Sequence, residues 1–478
     1  MPGLPTLGVI GGGISGLACA HRLTELKETT KKNFNIVLLE AGARLGGIVQ
    51  TEERDGFLLE NGPDAFIREK PWALDLTRRL GIDHALIGTR ELKRRSYILR
   101  KGRLTEIPEG FYLMAPTRIM AFLRSPLFSW PGKGRLMMEY FLPPSLSKAD
   151  ESLASFVRRR FGRECLENVA QALVAGIHTA DPEKLSLLAT FPRFRELEKQ
   201  YGSVLRGLIV ESRQSPDGAD KASGARYSLF VSFKKGMTTL TDSLEKKVSP
   251  FVRLRTPVKN ILWKPAEKSW EVTTTQGEAL NFQAVCCALP PSRSRALFDQ
   301  SIPDVSQGLA GITCESVATV HLAYRKEQLR RLPEGFGFVS PKKEDLSVLA
   351  CTFVDQKFEG RCPDGYRLFR AFVGGAFGKK YLAKDDSDLL STVESDLQNI
   401  LGIEGKPLFN RLQRHPDAMI QYGVGHLDRV NALRGALEKT PGLFLTGAGF
   451  RGVGIPDCVH DAESQAEEMF KTLARQTD

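Results

Sequence analysis

The sequence predicts an α/β protein: a βαβ unit at the amino end opens a parallel sheet, a strand-rich part follows, and a helical segment lies between them. Three observations carry this. Residues 5–40 read strand, glycine turn, helix, strand, in "TLGVI", "GGGISG", "LACAHRLTEL" and "NIVLLE". From about Leu104 to Tyr201 the pattern is helical, as in "LASFVRRRFGRECLENVAQALVAGI", with little strand signal. Beyond residue 250 short apolar runs recur, among them "VKNILWKP", "SWEVTTTQG", "FQAVCCALP", "ESVATVHLAY", "GFGFVS", "SVLACTFV" and "YRLFRAFVGG".

The remaining elements follow the same logic. "SRQSPDGADKASGAR" (212–226) is small, polar and Gly/Pro-containing, and reads as an exposed loop. "DSDLLSTVESDLQNILG" places apolar residues at three- and four-residue steps and reads as a helix, as does the closing "IPDCVHDAESQAEEMFKTLARQ". No internal repeat is visible.

Composition narrows the class. With 478 residues, 42% hydrophobic and 26% charged, the chain is globular and large enough for two or three domains. The net charge of +11 fits an acidic small molecule, an anionic membrane surface or nucleic acid equally well. Eight cysteines without a C-x-x-C pair point to reduced structural thiols in a cytosol-like compartment, and to no zinc site. The start, "MPGLPTLGVIGGG", lacks the basic n-region of a signal peptide. No uncharged apolar run reaches the ~20 residues of a spanning helix, so membrane contact is expected to be at most peripheral, at the inner face of the cell membrane.

In "VIGGGISGL", Gly11, Gly13 and Gly16 match G-x-G-x-x-G between a strand and a helix. The first glycine permits the turn, the second lets a pyrophosphate approach the backbone, and the third lets strand and helix pack closely; the helix amino end then faces the phosphates. Glu40 ends the next strand, 24 residues after Gly16, where a carboxylate can accept from ribose hydroxyls and disfavours a 2′-phosphate. A second pair, Gly46–Gly47, follows Arg44, and a nicotinamide dinucleotide gives no reason for it. The longer FAD does.

With this R-x-G-G element, continued by Thr51, Gly56, Phe57, Glu60 and Gly62, the sequence resembles the flavin-containing amine oxidase and phytoene desaturase superfamily. The resemblance implies a Rossmann-like FAD-binding domain, a mixed-sheet substrate domain and an α-helical insertion domain. It divides the chain into FAD-binding segments 1–70, 232–303 and 405–478, substrate segments 71–103, 206–231 and 304–404, and a helical, membrane-docking segment 104–205. It implies non-covalent FAD held also by Ile14, Ser15, Pro63, Asp64 and Val258. At the carboxyl end it places Gly447, Val453, Gly454 and Ile455, in "TGAGFRGVGIPDC", against the flavin ring, where the dipole of the helix beginning near Pro456 stabilises reduced flavin.

"GGGISGLA", "ENGPDAF", "LSLLATFPRF", "GFGFVSP", "QYGVGHLDR" and "GVGIPDC" together resemble the oxygen-dependent protoporphyrinogen oxidases and their bacterial coproporphyrinogen-oxidising branch over nearly the whole chain. The resemblance implies hydride loss from a porphyrinogen methylene bridge to flavin, reoxidation by O2 to give H2O2, no obligatory acid–base residue, and transfer of product to the next haem-pathway enzyme. It places the macrocycle clamp and backbone contact on Gly337, Val339 and Phe372. Two departures stand out. Ser96, beside Arg95, occupies the place of a propionate-binding arginine, which suits a four-propionate substrate in an open, basic pocket. Arg414–His415 replaces an Arg–Trp pair, removing an aromatic flavin contact. His178 reads as a packing or loop residue.

Other readings stay open at this level: a desaturase-like or amine-oxidase-like flavoenzyme, or a flavin-binding partner that has lost catalysis. The basic and aromatic residues of "FYLMAPTRIMAFLRSPLFSWPGKGR" suit either an anionic membrane surface or a solvated helix face. No nucleic-acid-binding module is recognisable.

Overall fold

A computed structural model of the chain describes residues 4–90, 95–214 and 230–475. The loop read at 212–226 lies largely outside the described residues.

Five parallel strands form the first sheet, in the order Val252–Arg253, Asn35–Leu39, Thr6–Ile10, Ala284–Cys287, Leu443–Leu445. Segments from both ends and the middle of the chain therefore share one set of hydrogen bonds. Side-chain alternation gives the sheet two apolar faces. Leu7, Val9, Leu38 and Cys286 pack toward the helices Ile14–Thr30, Thr238–Val248 and Ile455–Arg475. Ile10, Leu39, Val285 and Cys287 face the opposite way, over the antiparallel meander Val258–Lys264, Ser269–Thr274, Ala279–Phe282.

The second sheet has seven strands, ordered Phe409–Ile420, Cys314–Arg325, Tyr366–Gly374, Ala350–Phe353, Gly337–Val339, Ser96–Arg100, Arg103–Glu106. Only the pair Gly337–Val339 with Ser96–Arg100 is parallel. Its outer face is covered by the helix Asp386–Leu401, whose Leu389, Val393, Leu397 and Leu401 fall at four-residue steps over Val320, Leu322 and Tyr324. That helix starts where the Asp385 carboxylate accepts from Asp388 N and ends at Gly402, at φ 63°.

Three expectations are corrected. Phe409–Ile420, counted on sequence with the cofactor-binding segment 405–478, pairs along Cys314–Arg325 and belongs to the second sheet. Arg103–Glu106 is likewise a strand of that sheet, so the helical part begins after it. The long helical pattern of 153–177 is broken: it runs Leu153–Arg160, turns at Gly162 (φ 92°), passes a π-helical turn at Leu166–Ala170 and resumes as Gln171–His178. Apolar periodicity survives such a turn, so the pattern alone did not reveal it.

Candidate functional site

The amino-end glycines form a cradle of main chain. Gly11 sits at φ 102°, and a Cβ on it would lie 3.0 Å from Ala288 O. A Cβ on Gly16 would lie 1.8 Å from Gly11 O, so strand and helix meet with no room for a side chain. Gly13 differs: no protein atom lies within 4 Å of where its Cβ would be. It stands at the N-cap of Ile14–Thr30 without a side-chain cap, and the first turn has no acidic residue. Uncapped N–H groups beside open space form an anion site, with Ile14 and Ser15 in its first turn.

The second loop closes on the first. Gly46 N donates to Gly12 O at 2.8 Å, Gly13 and Gly46 form a parallel bridge, and a Cβ on Gly47 would lie 3.1 Å from Gly13 Cα. Glu40 fastens this junction, accepting from Gly12 N at 2.7 Å and Gly42 N at 2.6 Å. It is not the free acceptor that the sequence suggests; a carboxylate has about four acceptor positions, and the remaining ones are what a ribose could use. Arg44 turns inward as well, donating to Leu45 O (2.9 Å) and Gly47 O (2.6 Å), so it holds the loop's shape. Val258 opens a strand two residues after Thr256, whose N–H donates to Glu40 O at 2.8 Å.

Gly62 lies against the same loop, with a Cβ there only 1.7 Å from Ile48 O. The carboxyl end arrives from the opposite side. Thr446 N donates to Cys287 O, and Gly447, at φ 127°, would carry its Cβ 3.7 Å from Ser15 Oγ. The Asp461 carboxylate accepts from Thr446 Oγ1 at 2.8 Å and Gly447 N at 3.2 Å, while Arg451 stands 3.1 Å away. Val453 and Gly454 lead into the helix Ile455–Arg475, which packs along Ile14–Thr30. Two helix amino ends and the glycine turns thus converge, and their donors and open main chain fit a flavin dinucleotide.

Beside the cradle, one face of the seven-stranded sheet turns toward residues 60–64. Thr319 is in register with Phe372 and Gln413, and His321 with Arg370 and Arg411, so these side chains share that face. Thr319 Oγ1 (3.2 Å) and His415 Nε2 (2.7 Å) both donate to Asn61 O. His415, standing where a tryptophan was expected, therefore ties the edge strand to the segment 60–64 by a hydrogen bond. Lys357 Nζ reaches Asp64 Oδ2 at 2.7 Å, and Arg370 stands 3.8 Å from Asp64 Oδ1. Burial alone would raise the Asp64 carboxyl, but Lys357 and then Arg370 outweigh it and bring it down to about 2. Glu60, four residues earlier, goes the other way: burial pushes it up to about 7 against hydrogen bonds from Thr51 Oγ1 and Met237 N.

Among the substrate residues expected on sequence, Phe372 is half-buried with its ring on this face. Val339 meets the end of the helix Gln171–His178, where a Cβ on Gly176 would lie 3.0 Å from Val339 Cγ1. Gly337, at φ 145° and with a Cβ position 2.0 Å from Cys351 O, is a buried glycine that the packing of its strand requires. Ser96 is buried beside Gly337 in the parallel pair. Arg95 is 61% exposed and lies 3.6 Å from Glu106. His178 packs edge-on against Phe191, and burial pushes it down to about 4.

Sequence reasoning missed Gly176 with its exposed neighbour Ile177, and the cations Lys357 and Arg370. Arg370 could have been found, since it is a charge two residues from Phe372 on an apolar strand. Lys357 gave no signal, lying in the four-residue helix Val354–Lys357.

The comparisons agree with this geometry. The profile of the flavin containing amine oxidoreductases matches residues 14–470. Coproporphyrinogen III oxidase of Bacillus subtilis is 33% identical over 97% of this chain and 98% of its own. The coproporphyrinogen III oxidase of Staphylococcus aureus is 30% identical over 98% and 99%. A crystal structure from Exiguobacterium sp. 255-15, assigned as a protoporphyrinogen oxidase, superposes with a TM-score of 0.85 at 30% identity, covering 98% of this chain and 99% of that one.

Proposed function

The chain belongs to the flavin containing amine oxidoreductase family, and we propose that it is an FAD-dependent enzyme oxidising a porphyrinogen, coproporphyrinogen III or protoporphyrinogen IX, to the porphyrin in haem biosynthesis. When bound, FAD supplies the two-electron acceptor and is reoxidised by O2 with release of H2O2. Three rounds give the aromatic ring. The observation that carries this reading is full-length similarity to named coproporphyrinogen III oxidases, joined to a cradle whose main chain fits the cofactor.

In this proposal Gly11, Gly13, Ile14, Ser15 and Gly16 hold the pyrophosphate. Glu40 and Val258 flank the adenosine, Arg44 shapes the Gly46–Gly47 loop over the diphosphate, and Gly62, Pro63 and Asp64 pass the ring. Gly447, Val453, Gly454 and Ile455 approach it from the helix amino end, whose dipole favours negative charge there. The face bearing Phe372, with Val339 and Gly176 at its edge, receives the flat macrocycle. The buried cations Lys357, Arg370 and Arg361 outnumber the neighbouring carboxyl groups of Asp64 and Glu60, which suits an acidic tetrapyrrole.

The reading extends to location. All eight cysteines are unpaired, which supports a reducing, cytoplasmic setting. Among the described residues no helix is long and apolar enough to cross a membrane. The helical part does expose Trp130 (74%), Phe141 (78%) and Leu146 (95%), and Phe141 lines an apolar groove of about 380 Å³ with Ile119, Met137, Leu205 and Ile209. Lys133 Nζ stands 4.5 Å from the Trp130 ring and Arg206 4.5 Å from that of Tyr140. Basic and apolar groups so interleaved support peripheral contact with an anionic bilayer and release of product near the next haem-pathway enzyme.

Purified yellow protein given coproporphyrinogen III and protoporphyrinogen IX in parallel, in air, should develop porphyrin fluorescence with one of them at least, and H2O2 in step. A yellow protein that forms peroxide with neither is an inactive flavin partner. One that instead consumes an amine or desaturates a carotenoid refutes the substrate class.

A further inference from the structure

The face turned toward residues 60–64 carries a buried cation that holding a dinucleotide does not require. Arg370 is 4% exposed, and its Nε has no hydrogen-bond partner among the described residues. On the strand Tyr366–Gly374 it precedes Phe372 by two positions, so both side chains leave the same face. Its guanidinium stands 4.6 Å from the centroid of the Phe372 ring. It also donates to Gly62 O and lies 3.8 Å from Asp64 Oδ1. Asp64 in turn takes Lys357 Nζ at 2.7 Å, and its backbone oxygen takes Ser232 Oγ at 2.7 Å.

A buried cation with an unsatisfied N–H is destabilising compared with apolar packing of the same volume, so it asks for a role beyond filling space. Geometry supplies one. A planar guanidinium can stack flat on one face of an aromatic ring while its edge donates to a carbonyl; a lysine ammonium is a point charge with no flat face to seat the ring. Phe372 is itself only half-buried, so part of the residue remains accessible.

We propose that Arg370 is a positioning residue for the macrocycle: its guanidinium seats the Phe372 ring and, through Gly62 O and Asp64, fixes that ring relative to the segment assigned to FAD. This rests on the reading that Phe372 faces the porphyrinogen. Arg370 touches neither substrate nor reacting atoms. It sets the distance between the apolar platform and the main chain of residues 62–64, and Asp64 and Lys357 limit the rotation of its head group.

The test is a double-mutant cycle in FAD-loaded protein: R370M, F372L and R370M/F372L, with R370K as a variant that keeps the charge beside Asp64 and so preserves the fold. KM and kcat are measured with coproporphyrinogen III. FAD content and the visible spectrum of bound FAD are read in the same samples, without substrate. R370M should raise KM about ten-fold with kcat changed less than about two-fold and FAD content intact. In the F372L background the same substitution should change KM less than about two-fold. R370K should behave like R370M, and the spectral change of the double variant should equal that of F372L alone. Additive effects in the cycle, full activity of R370K, or loss of FAD from both Arg370 variants would each overturn the proposal. A wild-type protein that oxidises no porphyrinogen refutes the proposed function instead, and the spectral cycle still decides whether Arg370 acts through Phe372.

Discussion

The cradle around Gly11–Gly16, Gly46–Gly47, Gly62 and Gly447 is made of main chain, whereas the neighbouring face of Thr319, Arg370, Phe372 and Gln413 is made of side chains. They adjoin along residues 60–64 but obey different rules. A site built from backbone N–H groups needs side chains to be absent, so its positions admit one residue type and break abruptly. A site built on alternate positions of paired strands needs size, flatness and charge, which several residue types supply, so it degrades by degrees.

The largest expected effect tests the first rule. Gly62→Ala must place a methyl 1.7 Å from Ile48 O, and Gly16→Ala one 1.8 Å from Gly11 O; neither carbonyl is the end of a flexible chain. Both variants should purify colourless and be destabilised by on the order of 3 kcal/mol in chemical denaturation. A yellow, wild-type-stable Gly62→Ala protein would break the comparison at its base.

Gly13→Ala sharpens it. Nothing in the protein lies within 4 Å of the added methyl, and the residue is at φ −72°, open to any side chain. The fold should lose less than about 1 kcal/mol, while FAD affinity falls at least about ten-fold because the methyl takes the space the pyrophosphate approaches. Titration of apo protein with FAD, beside a denaturation curve, separates a glycine kept for the ligand from one kept for the fold.

The same distinction explains how much could be read beforehand. Glycine spacing disclosed the cradle, because main-chain contact leaves a residue-type signature at fixed offsets. At Gly337 the same signature carries a packing demand, set by the neighbouring Cys351 carbonyl, that spacing alone does not reveal. Glu40 and Arg44 were found, but their hydrogen bonds go to their own loops, a detail set by tertiary closeness. The side-chain face was legible only as far as Phe372. Its partners come from strands far apart in the chain, and no periodicity in one strand states which strand lies beside it. The pairing of Phe409–Ile420 with Cys314–Arg325, inside a segment counted on sequence with the FAD-binding domain, was out of reach for that reason.

Where the two regions meet, Glu60 and Asp64 should respond to pH in opposite senses. Asp64, held at about 2 against an ordinary 3.8, contributes stability that is present above the ordinary value and lost as pH falls through about 2. Glu60, raised from 4.5 to about 7, binds its proton more tightly when folded, so its contribution is fully present below 4.5 and lost as pH rises through about 7. Denaturation between pH 5 and 8.5 should show a fall on the order of 2 kcal/mol that Glu60→Gln removes. A fall that persists in the variant would assign it elsewhere.

The smallest effect on the enzyme itself is expected far from both regions. Phe141 and Leu146 are exposed on the helical part, so Phe141→Glu with Leu146→Glu forfeits almost no packing and should change stability within about 0.5 kcal/mol. Turnover of coproporphyrinogen III in solution should be unaltered, since neither residue lies on the strands or loops of the cleft. Co-sedimentation with vesicles containing anionic lipid should fall, because two apolar anchors become charges of the lipid's own sign. High salt separates the contributions: it should weaken wild-type binding through the exposed Arg206 and its basic neighbours without restoring the variant. If turnover fell in step with vesicle binding, the apolar groove would have to be counted as part of the substrate's route, and the site would no longer divide into a backbone cradle and one sheet face.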